Sequence, residues 1–197
     1  MKKKKIGVDL DEVLAELFRG CIEIHKGKLW DVDITFEESL SYNLDEHFQV
    51  SRETVVNFFY KPLFDRAFEK YILPVEWAFE KLQHFHSLWY EIHVVTARRD
   101  IVREQTLRFL DTHYAGLIHD VHFANHFGDN PVDKHDICLK MGVEMMVEDN
   151  IDYALGIAKS GILTYLIEKP WNRERKEKHR LLKRISWWEE INVEETY

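Results

Sequence analysis

Five short apolar runs constrain the fold of this chain more than any other feature. Each is rich in β-branched or aromatic residues and has the length of a buried strand. The runs cover residues 5–10, 90–97, 120–125, 144–149 and 161–168. Segments with helical periodicity separate the later runs, at 100–114, 133–141 and 151–159. Because strands that alternate with helices pair in parallel under helices on both faces, the pattern predicts an α/β fold with a Rossmann-like parallel sheet core.

A long segment interrupts this alternation between the first and second predicted strands. Residues 15–75 carry helix signals, among them a capping-box pattern that starts at Thr35 and an N-cap at Ser51, together with many aromatic residues. We expect a small helical cap, inserted after the first strand and lying over the carboxyl edge of the sheet. Residues 1–14 and 76–197 would then form the α/β core.

Two further segments carry helical patterns. Residues 75–89 predict a core helix that leads into the second strand. Its inward-facing side chains would be Val75, Phe79, Leu82 and Trp89. After the fifth strand, Pro170 acts as a stop, and the charged residues that follow predict a solvated helix. The neighbouring Trp187 and Trp188 are expected to pack back onto the core.

Charge and hydropathy exclude several classes of partner. The chain has 27 Lys+Arg against 35 Asp+Glu and a formal net charge of -8 at pH 7, so its surface repels polyphosphate and no nucleic-acid polymer is an expected partner. No apolar stretch is long enough to span a membrane or resembles a signal peptide. We therefore expect no membrane partner and a cytoplasmic location.

The cysteines and histidines show no metal-ligand spacing. Cys21 and Cys138 stand far apart and are expected to be buried thiols. The 11 histidines, His122, His126 and His135 among them, are expected to have structural or solvent-facing roles.

The first predicted strand ends in Asp9-Leu10-Asp11, which places two carboxylates where ligands bind in a parallel sheet. Two neighbouring carboxylates repel each other unless a cation or a shared proton compensates. Mg²⁺ suits this position because it prefers oxygen ligands and bridges carboxylates to phosphate groups. Since a carboxylate can also act as a nucleophile with its neighbour as acid or base, the pattern is typical of phosphoryl transfer.

Other strand ends carry the groups that would complete such a site. Thr96 stands at the tip of the second strand, Glu148 and Asp149 stand at the tip of the fourth, and Lys134 precedes the fourth strand across a helix. They would supply a hydroxyl and backbone N–H groups for phosphate oxygens, a cation for the developing charge and a further metal carboxylate.

These motifs resemble those of the haloacid dehalogenase superfamily, over the whole chain. Its phosphatases carry D-x-D after the first strand, Ser or Thr after the second, Lys before the last motif and an acidic pair after the fourth strand. Within it, "DLDEVLAE", the helical insertion, "DK…MGVEMMVEDN", "EKPWN" and "WWEEI" look like the 5'(3')-deoxyribonucleotidase family and its bacterial nucleotidase relatives. The resemblance implies a Mg²⁺-dependent phosphomonoesterase that hydrolyses a small phosphate ester, a (deoxy)nucleoside monophosphate, through an aspartyl-phosphate. A homo-oligomer is left open.

The same resemblance implies catalytic and metal-binding roles for three aspartates. Asp9 would be the nucleophile and a Mg²⁺ ligand, and Asp11 the general acid/base, with its backbone carbonyl also touching the metal. Asp149 would be the third protein ligand, supported through water by Glu148 or Asp152.

Substrate-binding roles follow in the same way. Thr96 and the amide of Ala97 would hold phosphate oxygens, while Lys134 would neutralise the aspartyl-phosphate, with Lys140 as its rival. Arg98 and Arg99 could either clamp a phosphate or begin the next helix.

Two residues depart from the pattern of the superfamily. Glu12 stands where many of its phosphatases have Gly, so the loop would be stiffer or an extra carboxylate would face the pocket. Glu148 replaces the usual Gly or Asp. Three other functions stay open: a phosphatase for a sugar phosphate or another metabolite, a catalytically idle binding module of the same fold, and, as the weakest, a dehalogenase.

Overall fold

The protein, described by a computed structural model over residues 3–126 and 130–192, consists of short strands and helices in alternation. Residues 1–2, 127–129 and 193–197, which the sequence assigns to the core, lie outside the described residues. In chain order the elements are β1 (Lys5–Val8), α1 (Leu17–Ile24), β2 (Lys28–Leu29), β3 (Val32–Asp33), α2 (Leu44–Phe48), α3 (Arg52–Phe64), α4 (Ala78–Ser87), β4 (Glu91–Thr96), α5 (Arg103–His113), β5 (Ile118–Phe123), α6 (Lys134–Met141), β6 (Met145–Glu148), α7 (Ile151–Lys159), β7 (Leu163–Ile167), α8 (Pro170–Arg173) and β8 (Leu182–Ile185). Short 3₁₀ helices cover Arg66–Tyr71, Asp100–Val102 and Trp188–Glu190.

Six strands form one parallel sheet in the order β5-β4-β1-β6-β7-β8. All five predicted strands are present, so the predicted α/β fold with a parallel sheet core is confirmed. The first strand lies at the centre, and Val8 is in register with Val94 of β4 and Val147 of β6. The residues that follow these three strands therefore meet at one edge of the sheet.

Apolar side chains cover both faces of this sheet. On one face, Val95 and Met146 pack with Cys138 of α6 and Ile157 of α7. The larger cluster includes Val94 from the sheet, α4 and α5 residues, and much of the segment before α4. The expectation that Cys21 and Cys138 are buried thiols is confirmed.

The predicted charged helix in the tail is wrong: among the described residues after β7, the only α-helix covers Pro170–Arg173, and the chain then forms the sixth strand of the sheet. This strand pairs with β7, whose outer edge would otherwise expose unpaired backbone groups. The charge pattern of the tail alone could not reveal that the edge of β7 needs a pairing strand. The tryptophan pair divides its roles: Trp188 is buried and donates its Nε1–H to the Val13 carbonyl at 2.9 Å, while Trp187 is exposed.

The predicted helix at 75–89 exists as α4, but its inward face differs from the prediction. The buried side chains are Ala78, Leu82 and Phe85, whereas Phe79 and Trp89 are 39% and 76% exposed. The helix begins only at Ala78, after Val75, and its buried residues follow the i, i+4, i+7 spacing from Ala78.

The inserted segment, residues 15–75, contains α1 to α3 and the small antiparallel pair β2–β3. The N-cap at Ser51 is confirmed, because its side chain accepts the Thr54 N–H at 3.1 Å. Thr35 and Glu38 form half of the predicted capping box: Thr35 Oγ1 accepts the Glu38 N–H at 3.3 Å, but Glu38 Oε2 accepts the Thr35 hydroxyl at 2.7 Å rather than its backbone N–H, and the segment is a turn and not a helix start. Within the described residues, every helix is too short or too polar to cross a membrane.

Candidate active site

Three carboxylates and one lysine meet at the carboxyl ends of β1 and β6. Asp9 directly follows β1, and its N–H donates to the Val147 carbonyl at 2.9 Å. Glu148 ends β6 and Asp149 follows it. Lys134, the first residue of α6, places its Nζ 2.7 Å from Asp9 Oδ1 and 2.9 Å from Glu148 Oε2. All four side chains are buried, so their charges act on one another with little screening by water.

This cluster holds more negative than positive charge. Oxygens of Asp9, Glu148 and Asp149 lie within 4.8 Å of one another, and the ammonium group of Lys134 contacts two of these three carboxyl groups. Burial, followed by the charge of Glu148, raises the pKa of Asp9 to about 8, and burial with the charge of Asp9 raises the pKa of Asp149 to about 8. Burial also raises the pKa of Glu148. Burial alone would lower the pKa of Lys134, but its two ion pairs outweigh that effect and raise it.

The donor set of the cluster fits Mg²⁺. A hard divalent cation binds carboxylate oxygens, and its charge would offset the excess that raises these pKa values. Asp9 and Asp149 offer such oxygens, whereas one Glu148 oxygen is taken by Lys134 and the other accepts the Asn150 N–H at 3.1 Å. The fit therefore rests on the two aspartates more than on Glu148.

Two residues after β7 hold Asp149 in place. Trp171 donates its Nε1–H to Asp149 Oδ2 at 2.9 Å, and Asn172 donates its amide to the Asp149 carbonyl at 2.7 Å. Neither residue was predicted as part of the site. They lie in the "EKPWN" stretch that carries the family resemblance, but without the fold that stretch gives no hint of contact with Asp149.

Asp11 lies on the other side of Asp9 and pairs with Arg98. The Arg98 Nε lies 3.1 Å from both Asp11 carboxylate oxygens, and the Arg98 Nη2 lies 2.6 Å from Asp11 Oδ1. Arg98 also donates to Thr106 Oγ1 at 2.9 Å and is buried. The two readings left open for Arg98 were a phosphate clamp and a helix start, and the structure instead places this side chain on Asp11.

Arg99 has a different setting. Its backbone N–H donates to the Tyr60 hydroxyl at 3.0 Å, and it precedes the 3₁₀ turn Asp100–Val102. This contact connects the tip of β4 to the inserted segment.

The predicted phosphate-binding residues lie at the tip of β4. Ala97 lines the cavity described below, while Thr96 is fully buried and its Oγ1 accepts the Arg98 N–H at 3.1 Å. Of the two rival lysines, Lys134 lies in the cluster and Lys140 is exposed on the same helix. Asp152 is exposed and pairs with Arg175 at 2.7 Å, outside the carboxylate cluster.

Glu12 adopts the backbone conformation that glycine favours. Its φ is 60°, in the left-handed region. This conformation explains why glycine suits the equivalent position in the family that the sequence resembles. The side chain is buried, and its Oε1 accepts the Phe18 N–H near the start of α1 at 2.6 Å. Burial raises the pKa of Glu12 to about 7, although the charge of Lys169 opposes that shift. The Glu12 carboxyl group, the extra carboxylate expected from the sequence, is thus hydrogen-bonded to the start of the inserted segment.

A cavity of about 450 Å³ lies between the cluster and the inserted segment. Asp9, Asp11 and Asp149 line its sheet side. Aromatic residues form much of the rest of its wall: Tyr42, Phe59 and Tyr60 from the inserted segment, with Tyr153 and Trp171 from the core. Phe18, one candidate for stacking on a nucleobase, is only 4% exposed because it packs among other aromatic rings. Tyr42, by contrast, is 39% exposed.

No family model and no curated protein matches the chain, but solved structures do. A protein described as a predicted phosphatase from Clostridium acetobutylicum aligns with a TM-score of 0.61 at 13% identity, over 85% of each chain. A dehalogenase with an intermediate complex aligns with a TM-score of 0.61 at 11% identity, over 95% of each chain. A HAD hydrolase of Bacillus subtilis, bound to magnesium, aligns with a TM-score of 0.56 at 13% identity, over 96% of this chain and 97% of that one. At these identities the likeness shows the fold alone.

Proposed function

We propose that this chain, which has the fold of haloacid dehalogenase-like hydrolases, is a Mg²⁺-dependent phosphomonoesterase that acts through an aspartyl-phosphate. One observation carries the proposal: Asp9, at the end of the central strand, lies 2.7 Å from a buried lysine, next to two further carboxylates and on the wall of a cavity. A structural ion pair would not need the two extra carboxylates, which cost free energy in a buried site.

Under this proposal Asp9 and Asp149 bind Mg²⁺ with their side chains, and Asp11 binds it through its backbone carbonyl. When bound, the ion would neutralise the carboxylates and the phosphate, so that the nucleophile and the substrate no longer repel each other. Trp171 and Asn172 would keep Asp149 in a fixed orientation, as residues behind a metal ligand commonly do.

The reaction would proceed in two steps. An Asp9 oxygen attacks phosphorus, the ester bond to the leaving oxygen breaks, and Asp11 gives that oxygen a proton. Water then attacks phosphorus while Asp11 takes its proton, and the bond to Asp9 breaks to restore the carboxylate. The Thr96 hydroxyl and the Ala97 N–H would hold phosphate oxygens, and Lys134 would stabilise the charge that develops on Asp9 and phosphate.

The contact between Asp11 and Arg98 bears on this mechanism. A carboxylate whose oxygens are held by a guanidinium keeps its orientation and does not face a leaving oxygen in the cavity. We infer that Asp11 leaves Arg98, or shares it with the phosphate, when substrate fills the cavity. The 30% exposure of the Asp11 side chain leaves it room to turn.

The inserted segment would act as a cap domain at residues 15–75, with the core formed by residues 1–14 and 76–197. Two backbone hydrogen bonds support this division: Glu16 N–H to the Leu73 carbonyl at 2.8 Å, and Val75 N–H to the Leu14 carbonyl at 2.9 Å. The two segments that connect the inserted segment to the core thus run antiparallel and are hydrogen-bonded to each other. Such a connection is a suitable hinge for closing over substrate.

The proposed substrate is a (deoxy)nucleoside monophosphate. The family resemblance points to it, and the aromatic wall of the cavity supports it, because a nucleobase stacks on aromatic rings. A cavity of about 450 Å³ falls in the usual range for small-molecule ligands. A sugar phosphate or another metabolite remains the second candidate within the same chemistry.

Phosphate release from a panel of nucleoside monophosphates and sugar phosphates, with Mg²⁺ and again with EDTA, tests the proposal. We expect Mg²⁺-dependent release that favours nucleotides, its loss in Asp9→Asn and its retention in the exposed control Asp111→Asn. Release from other esters would retain the mechanism and reject the nucleotide. No release from any ester by the folded wild-type protein would reject the enzyme and favour a binding module.

A further inference from the structure

A second cluster of metal-ligating side chains lies on strands β4 and β5. Glu91 and His93 of β4 and His119 of β5 each offer one ligand atom, and these atoms lie within 4.8 Å of one another. His93 precedes Thr96 by three residues, so about 10 Å of strand separates it from the edge of the sheet that carries the carboxylates. The cluster shares no residue with the candidate active site.

The Nε2 atom of His93 makes this more than a group of surface histidines. The His93 side chain is only 5% exposed, and within residues 3–126 and 130–192 its Nε2 has no hydrogen-bond partner. Buried polar atoms in folded proteins almost always have a partner, so an unpaired one needs an explanation. Glu91 Oε2 lies 3.9 Å from this nitrogen.

The other nitrogen of His93 is held by a neighbour. Nδ1 lies 3.3 Å from Nε2 of His122, and the two rings stack with centroids 5.5 Å apart. When Nδ1 carries the proton and donates a hydrogen bond to His122, Nε2 keeps a free lone pair at 3.9 Å from Glu91 Oε2. Metal-ligating histidines commonly have this arrangement, with one nitrogen on the metal and the other hydrogen-bonded.

The local backbone explains why the sequence did not reveal the cluster. Glu91 and His93 are two residues apart on one strand and share a face. The pairing of β4 with β5 shifts between Ile92 and His93, which leaves His119 unpaired in the register and its Nε2 3.9 Å from Glu91 Oε2. The expectation that the histidines have structural or solvent-facing roles rested on their spacing along the chain. A cluster that forms at a register shift between two strands has no characteristic spacing in the sequence.

We propose that Glu91, His93 and His119 bind a zinc ion or another late first-row divalent cation. Two imidazole nitrogens and one carboxylate oxygen form a usual zinc donor set, with water in the remaining position. Neighbouring donors of a tetrahedral zinc ion lie about 3.4 Å apart. The separations of 3.9 Å close to that value through small rotations of Glu91 and of His119, whose side chain is 53% exposed. The ion would fasten the edge strand β5 to β4.

Calorimetric titration of the tag-free protein with Zn²⁺ tests this proposal, with Mg²⁺ in excess so that the carboxylate site is not available to zinc. The wild type and the control His86→Ala, which removes an exposed histidine of α4, should bind one Zn²⁺ and should unfold at a higher temperature in its presence. His119→Ala should bind Zn²⁺ at least about tenfold more weakly and should show no such rise. Because His119 is exposed, this variant should keep the wild-type circular dichroism spectrum.

The proposal is overturned if the wild type binds no zinc, or if His119→Ala binds zinc as tightly as the wild type does. A further outcome concerns the overlapping trio His93, Asp120 and His122, whose ligand atoms also lie within 4.8 Å of one another. Loss of binding in His122→Ala together with full binding in His119→Ala would place the ion in that trio instead.

Discussion

At the scale of single residues, Lys134 decides the charge of the site. Its ammonium group contacts Asp9 and Glu148, and solvent screens these contacts little because the side chain is 1% exposed. Lys140 lies on the same helix and is exposed to solvent. The two lysines therefore form a natural comparison between a buried and a solvated positive charge.

Replacing Lys134 with Met should destabilise the protein by about 3 kcal/mol at pH 8, since it leaves buried carboxylates without their partner. The same change at Lys140 should alter the free energy of unfolding by less than about 0.5 kcal/mol. Urea denaturation in EDTA measures both. Equal effects of the two substitutions would contradict the burial and pairing of Lys134.

Trp171→Phe should weaken the apparent affinity for Mg²⁺ about tenfold, because the indole N–H that holds Asp149 Oδ2 is lost while most of the ring packing is kept. At saturating Mg²⁺ the turnover number should stay close to that of the wild type. Phosphate release as a function of Mg²⁺ concentration separates the two quantities. A lower turnover number at unchanged Mg²⁺ affinity would show that Trp171 acts on the substrate and not on Asp149.

Strand-end reasoning predicts which residues come together, but not what supports them. Asp9, Thr96 and Asp149 follow or end neighbouring parallel strands, so their proximity follows from the sheet order. The contacts of Trp171 with Asp149 and of Arg98 with Asp11 join segments far apart in the chain. Nothing in local spacing encodes such contacts. The catalytic roles of all these residues remain predictions.

At the scale of elements, the short helix α8 joins two strand ends. Asn172 is fully buried in it and donates to the carbonyls of Asp149 and Ile167, at 2.7 and 2.8 Å. These two bonds connect the residue after β6 with the last residue of β7. The helix therefore fixes the backbone that presents Asp149 to the cavity.

Asn172→Ala should lower the free energy of unfolding by about 3 kcal/mol, because two buried carbonyls lose their donor. The exposed Asn43 makes no side-chain cap hydrogen bond at the start of α2, so Asn43→Ala should change stability by less than about 0.5 kcal/mol. Chemical denaturation of both variants is the measurement. A near-neutral Asn172→Ala would mean that water replaces the amide and that α8 does not hold the strand ends.

Elements whose apolar pattern is strong could be predicted, and those that depend on their neighbours could not. The five predicted strands carry short apolar runs, such as Val94-Val95 in β4 and Met145-Met146-Val147 in β6, that indicate strands without any tertiary information. In contrast, β8 reads LKRI within a highly charged stretch and forms because β7 offers an unpaired edge. The same limit applies to the inward face of α4, which depends on how that helix packs in the core.

At the scale of the whole molecule, the carboxylate cluster should make stability depend on pH and, under the proposed function, on Mg²⁺. The pKa values of Asp9 and Asp149 are about 8, against 3.8 for an ordinary Asp. Between those values the folded protein holds more protons than the unfolded chain. The free energy of unfolding therefore falls as pH rises, by up to about 1.4 kcal/mol per pH unit for each carboxyl group.

In EDTA, thermal unfolding should consequently occur at a lower temperature at pH 8 than at pH 7, a window above the ordinary histidine pKa. The stabilisation by Mg²⁺ should grow over the same window, because the metal binds the ionised carboxylates. Asp9→Asn should reduce the pH dependence in EDTA, since one of the carboxyl groups with a raised pKa no longer titrates. An equal slope in Asp9→Asn would show that other groups cause it.

The central claim, that Asp9 receives the phosphoryl group, is tested most directly by trapping. Borohydride reduces an aspartyl-phosphate to homoserine, which peptide mass spectrometry locates. With Mg²⁺ and a hydrolysed ester, we predict homoserine at position 9 in the wild type and none in Asp9→Asn. Phosphate release without homoserine at position 9, or with homoserine at Asp11 instead, would contradict the claim.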